Sequence, residues 1–109
     1  MADMEYPSEL ELLEFFEVEP SIHDDVYLYE VEDPSGKRLV FSFNPMDDSV
    51  QTTVKFQSTS DEVCFESARR IWIEGDWLLA TFDVKEFCIQ MKLKHKPLIE
   101  VRWSGLKDY

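Results

Sequence analysis

Glycine and cysteine are scarce in this 109-residue chain, which contains three glycines and two cysteines. Phosphate-binding loops and nucleophile elbows depend on clustered glycines, so neither kind of site is expected. Cys64 and Cys88 are too few for a disulfide scaffold, and we expect both to be free thiols in a reducing compartment. No segment approaches the roughly 18 apolar residues of a membrane span, and the first residues lack the basic start of a signal peptide. The chain is therefore expected to be soluble and cytoplasmic, without contact with a membrane.

Lysine and arginine are absent from the first 36 residues, although that segment holds twelve of the 23 acidic residues. Residues 37–109 carry eleven charges of each sign, so the formal net charge of −12 belongs to the first third. Such a negative field repels nucleic acid and anionic lipid, and it speeds the encounter with a basic protein. The distribution predicts an acidic binding face near the N-terminus and no nucleic-acid binding. The alternative is an acidic surface that serves only solubility.

The length is typical of one domain, residues 1–109, and we expect that domain to begin with an amphipathic helix from about Ser8 to Phe16. Ser8 and Glu11 have the spacing of a capping box, while Pro20 lies beyond the expected end of the helix. The apolar residues of this helix are expected to pack on the core; they are Leu10, Leu12, Leu13, Phe15 and Phe16.

Beyond Asp25 the apolar residues alternate with the period of two that is typical of strands. Seven segments show the pattern: residues 26–32, 37–43, 49–57, 62–73, 77–84, 86–94 and 99–103. We interpret residues 62–73 as one long or interrupted strand and residues 58–61 as a loop. The predicted fold class is α+β and mainly β, with the N-terminal helix packed on an antiparallel six- or seven-stranded meander. That meander would form a curled sheet, a half-barrel or a small sandwich.

Residues that could carry chemistry form no recognisable motif. The two cysteines have no histidine in a nucleophile signature, and the cluster of His23, Asp24 and Asp25 has no further ligand at metal-binding spacing. We therefore expect no catalytic residue, no metal and no cofactor, and we do not expect an enzyme. The late basic residues alternate with core positions and are expected to solvate an outer face or to pair with the acidic first third; they are Lys92, Lys94, Lys96, Arg102 and Lys107.

The stretch from Glu17 to Asp24, followed by the strands at Val26–Glu32 and Leu39–Phe43, resembles the start of a small immunity-protein family from bacterial polymorphic-toxin systems. In that family an aromatic-Pro-Ser-aromatic-His-Asp motif leads into the first strand of a β-rich domain. Four positions match here, namely Pro20, Ser21, His23 and Asp24, while Glu19 and Ile22 replace the two aromatic residues. The resemblance implies a cytosolic bacterial protein that binds and blocks a cognate toxin, and the acidic surface suits a basic toxin such as a nuclease.

The expected contact residues combine acids of the first third with tyrosines as aromatic anchors; they are Glu14, Glu17, Asp24, Asp25, Tyr27, Tyr29, Glu30 and Glu32. For the two tyrosines the alternative is a place in the strand core. Two other functions stay open at this point. One is a phage or mobile-element antagonist that mimics nucleic acid. The other is a small-molecule-binding β domain with a pocket lined by Trp72, Trp77 and Trp103.

Overall fold

Two antiparallel sheets and one helix form the computed structural model, which describes residues 4–84 and 87–106. The elements in chain order are α1 (Glu9–Phe16), β1 (Ser21–His23), β2 (Val26–Glu32), β3 (Arg38–Asn44), β4 (Ser49–Phe56), β5 (Thr59–Phe65), β6 (Ala68–Glu74), β7 (Trp77–Val84), β8 (Phe87–Lys94) and β9 (Glu100–Leu106). Strands β1 to β5 form one sheet in sequence order, and β6 to β9 form the second, also in sequence order. The predicted fold class, a mainly β domain with one N-terminal helix and an antiparallel meander, is confirmed.

The described residues contain nine strands, so the prediction of six or seven was too low. The short strand β1 was not predicted, because three residues are too few to show a period of two. The predicted strand over residues 62–73 is two strands, β5 and β6, which belong to different sheets. The chain leaves the first sheet at Ser67, whose φ of +63° is incompatible with a continuous strand. Residues 59–61, predicted as loop, belong to β5, and Glu86, the predicted start of the sixth segment, lies outside the described residues.

The helix starts as predicted and ends at Glu17. The hydroxyl of Ser8 accepts a hydrogen bond from the Glu11 N–H at 3.1 Å, and the Glu11 carboxylate accepts one from the Ser8 N–H at 3.0 Å. Glu17 adopts the left-handed conformation with a φ of 62°, and its N–H donates to the carbonyl of Leu13. The predicted apolar face is only partly right. Leu12 and Phe16 are buried, but Leu10 and Leu13 are 64% and 38% exposed, because so short a helix buries only a narrow i, i+4 stripe.

The core lies between the two sheets, which form a small sandwich that is not closed into a barrel. Phe16 of the helix stacks on Tyr29 with the ring centroids 4.7 Å apart. Across the sandwich, Phe65 of the first sheet contacts Phe82 of the second with the centroids 6.0 Å apart. The helix therefore packs against the inner face of the first sheet and leaves its acidic side in solvent.

Candidate protein-binding surface

A cleft of about 750 Å³ opens between the end of α1, the end of β2 with the turn after it, and the segment that joins β8 to β9. We call it the acidic cleft. Its apolar lining consists of Phe16, Val18, Val31, Pro34 and Pro97. Its charged or titratable lining consists of Glu17, Glu30, Glu32, Asp33, Asp76, His95 and Lys96. Carboxylates thus outnumber basic groups around a floor that is largely hydrocarbon.

Local structure explains why these carboxylates face the same cleft. Glu30 and Glu32 are two residues apart on β2, so their side chains project from the same side of the strand. The left-handed Glu17 ends the helix beside them, and Asp76 reaches the cleft from the tight turn between β6 and β7. Glu17, Glu30, Glu32 and Asp76 are all exposed. Four solvent-accessible acids are therefore available to a partner.

Two of the four exposed acids already have a basic neighbour. Glu17 forms an ion pair with Lys96, and the hydrogen bond and charge of that ammonium lower the pKa of the Glu17 carboxyl. Glu30 forms an ion pair with Arg38, which sits on the adjacent strand. In contrast, Glu32 and Asp76 form no ion pair with any residue in the described part of the chain. Because Glu32 lies opposite Arg38 in the strand register, negative charge is least compensated at Asp76.

Asp33 lines the cleft, but its carboxylate is occupied by hydrogen bonds to other residues of the chain. It is 5% exposed, and its carboxylate accepts hydrogen bonds from the N–H groups of Ser35, Lys37 and Ile99 and from the Ser35 hydroxyl. Burial opposes ionisation of Asp33, but the hydrogen bonds from Ser35, Ile99 and Lys37 outweigh it and lower the pKa of the carboxyl. Asp33 consequently fixes the shape of the cleft rather than offering a free contact.

His95 joins the opposite wall of the cleft to the helix. Its Nε2 lies 2.5 Å from the carbonyl oxygen of Phe15, and since a carbonyl can only accept, Nε2 is the donor. The imidazole also stacks on Phe16 with the centroids 5.8 Å apart. The next residue, Lys96, forms the ion pair with Glu17. The end of the helix and the segment after β8 are thus held together at one point.

The structure gathers three of the six predicted acidic contacts and separates the others. Glu17, Glu30 and Glu32 line the acidic cleft. Asp24 and Asp25 form the β1–β2 turn, where both have the positive φ that a type I′ hairpin turn requires. Since β2 rises about 3.3 Å per residue, that turn lies roughly 20 Å along the strand from Glu32.

The sixth predicted acidic contact, Glu14, is exposed on α1 and lines a shallow depression beside the cleft. That depression is also bordered by Glu11, Phe15, Ile73 and Gly75. Gly75 is in the same turn as Asp76, so Glu14 lies on the side of the helix that faces the β6–β7 turn.

The two predicted tyrosine contacts have different environments. Tyr27 is half-buried, and its ring stacks on Phe43 with the centroids 5.1 Å apart and the planes within 7°. Tyr29 is fully buried, and its hydroxyl finds no hydrogen-bond partner among the described residues. Burial, with a smaller contribution from Glu9, raises the pKa of Tyr29 to about 12. The prediction of Tyr29 as an exposed anchor is wrong, because the inward face of β2 places it against Phe16.

Three residues that sequence reasoning missed belong to this surface. Asp76 lies in the tight turn between β6 and β7, and only the packing of the second sheet brings that turn to the cleft. Leu10 and Leu13 were assigned to the core, yet both are exposed on the same helix as Glu14 and Glu17. The sequence did contain a signal for the exposure of Leu10 and Leu13. An eight-residue helix buries a single stripe of side chains, and that stripe cannot include all five of its apolar residues.

The three tryptophans do not line a common pocket, so the pocket proposed for the small-molecule alternative does not form as expected. Trp72 and Trp77 flank the β6–β7 hairpin, as predicted, and point to the outer face of the second sheet. Trp103 points inward, where its Nε1 donates to the Thr52 hydroxyl at 2.9 Å. Trp103 instead lines a separate cleft of about 490 Å³ between the first sheet and β9.

The remaining sequence expectations concern thiols, cations and membranes. Cys64 and Cys88 are exposed free thiols on different sheets. Lys96 pairs with the acidic first third, the strand residues Lys92, Lys94 and Arg102 are on an outer face, and Lys107 lies outside the described residues.

Residues 4–84 and 87–106 contain no cluster of three potential metal ligands. Over the same residues, α1 falls far short of the length and apolar character that a membrane-crossing helix needs.

Comparison with known proteins gives one informative likeness. No family model and no curated protein matches the sequence. The fold is similar to that of a chain in the contact-dependent growth inhibition toxin–immunity protein complex from Klebsiella pneumoniae 342, with a TM-score of 0.85 and 25% sequence identity. The likeness covers 97% of this chain and 100% of that one. It confirms the resemblance to an immunity protein of a bacterial toxin system that the Pro20–Asp24 segment predicted.

Proposed function

We propose that this protein is a bacterial immunity protein that binds a cognate toxin domain in the cytoplasm and neutralises it by occlusion, without catalysis. The observation that carries the proposal is the likeness to a chain of a toxin–immunity protein complex across 97% of the sequence. A stoichiometric inhibitor needs a stable surface and no reactive group, and four of the five exposed charged side chains of the cleft are carboxylates.

The acidic cleft is the proposed centre of the toxin contact. A lysine or arginine of the toxin could lay its aliphatic stem on Val31 and Pro34 and place its charged group between Glu32 and Asp76. These two acids form no ion pair with the described residues, so no internal pair would have to break. This chemistry fits a basic toxin such as a nuclease.

The exposed side of α1 extends the proposed contact. Leu10 and Leu13 are three residues apart and supply apolar area, while Glu14 and Glu17 carry charge on the same helix. Apolar side chains supply the core of a protein interface, and charged groups lie mainly at its rim. We assign Asp24 and Asp25, at the far end of β2, to long-range attraction of the toxin rather than to direct contact.

Sequencing the genes adjacent to this one identifies a candidate toxin, and co-expression with its toxic domain tests the proposal. The protein should restore growth of the host and form a complex that survives size-exclusion chromatography. Reversing the cleft charges with Glu32→Lys and Asp76→Lys should weaken that complex at least tenfold. The matched control, Asp61→Lys with Glu62→Lys, makes the same charge change on the exposed strand β5 and should bind within about twofold of the unmodified protein.

Two outcomes would contradict the proposal. The first is a complex whose affinity is the same in the cleft variant and in the control. The second is the absence of any complex with the toxin. Displacement of DNA from another captured protein would then favour the nucleic-acid mimic.

A further inference from the structure

The outer face of the second sheet combines tryptophans with basic side chains. The strand register pairs Trp72 with Leu79, Leu79 with Lys92, and Lys92 with Arg102, so one row crosses all four strands. Together with their neighbours these residues form a surface that we call the basic-aromatic face. Its members are Arg70, Trp72, Trp77, Lys92, Lys94 and Arg102.

The cations of this face lie over the tryptophan rings. The ammonium nitrogens of Lys92 and Lys94 are 4.3 and 5.0 Å from the centre of the Trp77 ring, and the Arg102 guanidinium is 6.0 Å from it. The Arg70 guanidinium is 4.7 Å from the centre of the Trp72 ring. These distances are those of cation–π contacts. Long side chains that are already ordered in this way lose less conformational entropy when they bind a partner.

The basic groups of this face outnumber the acidic ones. Glu100 lies directly opposite Lys94 in the strand register, and Glu74 lies opposite Trp77. Arg102 is paired with Glu100, and Arg70 lies 3.9 Å from Glu5. Lys92 and Lys94 form no ion pair with the part of the chain that the structure describes. Two free ammonium groups side by side are notable in a chain with a net charge of −12. They make this outer sheet face locally positive.

The basic-aromatic face borders the acidic cleft. Trp77 directly follows Asp76 of the cleft, and Lys94 directly precedes His95 and Lys96 of the cleft. A protein that inserts basic side chains into the cleft would therefore also come close to Lys92 and Lys94. To bind favourably to Lys92 and Lys94, that protein would need negatively charged groups beside the basic side chains that enter the cleft.

We propose that the basic-aromatic face binds a carboxylate-rich segment of the same protein partner whose basic side chains enter the acidic cleft. The inference rests on the proposed function, since it takes the cleft as the partner's main contact. The partner surface is then bipolar, with a basic part and an adjacent acidic part. Such a pattern fixes the orientation of the complex, because rotating the partner would bring like charges together.

A polypeptide fits this face better than a nucleic acid does. Stacking of a base needs an open aromatic face, but Lys92 and Lys94 already occupy positions over Trp77. A long polyanion would also be repelled by the net charge of −12. A short acidic segment responds mainly to charges within a Debye length, about 8 Å at physiological ionic strength. On this face the basic side chains outnumber Glu74 and Glu100.

Fluorescence anisotropy with two labelled peptides, decaglutamate and decalysine, tests the inference at physiological ionic strength with the full chain. Decaglutamate should bind saturably, and Lys92→Gln with Lys94→Gln should weaken it at least tenfold. The matched control is Arg38→Gln with Lys55→Gln, which removes two positive charges from cross-strand partners on the outer face of the other sheet. The control should bind decaglutamate within twofold of the unmodified protein, and the Lys92/Lys94 variant should retain decalysine binding.

The two peptides separate failure of the inference from failure of the proposed function. The inference is overturned if decaglutamate does not bind, or if the Lys92/Lys94 variant and the Arg38/Lys55 control weaken its binding equally. Binding of decalysine would in that case still support the acidic cleft as a contact. Loss of decalysine binding in the Glu32→Lys, Asp76→Lys variant supports the cleft, whereas retention counts against the proposed function. If ten-residue oligothymidylate binds at Lys92 and Lys94 and decaglutamate does not, the inferred partner chemistry is wrong. Self-association that depends on these lysines would likewise overturn it in favour of a second copy.

Discussion

The carboxylate of Asp33 accepts a hydrogen bond of 2.8 Å from the backbone N–H of Ile99, and this bond links the two sheets. Asp33 begins the turn between β2 and β3, whereas Ile99 directly precedes β9. The same carboxylate holds the turn itself through the N–H groups of Ser35 and Lys37, at 2.9 and 3.1 Å. One buried side chain thus fixes the spacing between two walls of the acidic cleft.

Asp33→Ala should destabilise the protein by about 2–4 kcal/mol, because it leaves several buried donors without an acceptor. Urea unfolding followed by circular dichroism measures this change in the free energy of unfolding. Asp61→Ala, on the exposed strand β5, is the control and should change it by less than about 0.5 kcal/mol. Equal effects of the two substitutions would show that the hydrogen bonds of Asp33 do not support the fold.

The lowered pKa of Asp33 predicts a dependence of stability on pH. Because the unfolded carboxyl has the higher pKa, the unfolded state binds more protons in acid, and stability falls as the pH falls. The stability that ionised Asp33 contributes is fully present above the pKa of about 4 that the carboxyl has in the unfolded chain. It is lost as the pH drops through the lower pKa that the carboxyl has in the folded protein. Comparing Asp33→Asn with the unmodified protein between pH 7 and pH 2 should show a stability difference that narrows in acid. A difference that stayed constant over this range would exclude Asp33 as a source of the pH dependence.

Phe16→Ala and Leu10→Ala should differ in their effect on stability. Phe16 is 1% exposed and stacks on Tyr29, so its removal should cost about 3–5 kcal/mol. Leu10 is 64% exposed, so its removal should cost less than about 0.5 kcal/mol while weakening the toxin complex. Thermal unfolding and calorimetric titration with the toxin measure the two quantities. Toxin affinity that is unchanged by Leu10→Ala would remove the exposed helix side from the proposed interface.

Tyr29→Phe should leave toxin affinity unchanged and should not reduce stability. The hydroxyl is buried without a partner among the described residues, so removing it relieves a desolvation cost of about 1 kcal/mol. Urea unfolding should give a free energy of unfolding equal to or above that of the unmodified protein. A loss of toxin affinity in this variant would reinstate Tyr29 as a contact residue.

Local patterns predicted the elements of this fold better than their assembly. The capping box at Ser8 and Glu11 depends on neighbours in sequence, and both of its hydrogen bonds are present. The division of residues 62–73 into β5 and β6 was not predictable in the same way. Val63, Phe65, Ile71 and Ile73 fit strands on either side of Ser67, and the structure divides them there through the positive φ of Ser67 and the change of sheet.

Part of the candidate site was predictable, because it too depends on residues that are close in sequence. The alternation of β2 places Glu30 and Glu32 on one side and Tyr29 on the other, so the pattern alone could have assigned Tyr29 to the core. Asp76 could not have been added from its pattern, because it is 44 residues from Glu32 in sequence and joins the cleft only through packing of the second sheet. Sequence distance therefore limited the prediction more than residue chemistry did.

The order of the strands has a consequence for biosynthesis. Within each sheet every strand pairs with its neighbour along the chain, so the sheet from β1 to β5 can assemble during translation, before the second sheet has been made. The acidic cleft cannot form at that stage, because part of its lining is made later by Asp76, His95, Lys96 and Pro97. A nascent chain released before residue 95 would contain most of the acidic charge but not the cleft. Tight binding of a toxin should thus be limited to nascent chains that extend beyond residue 97.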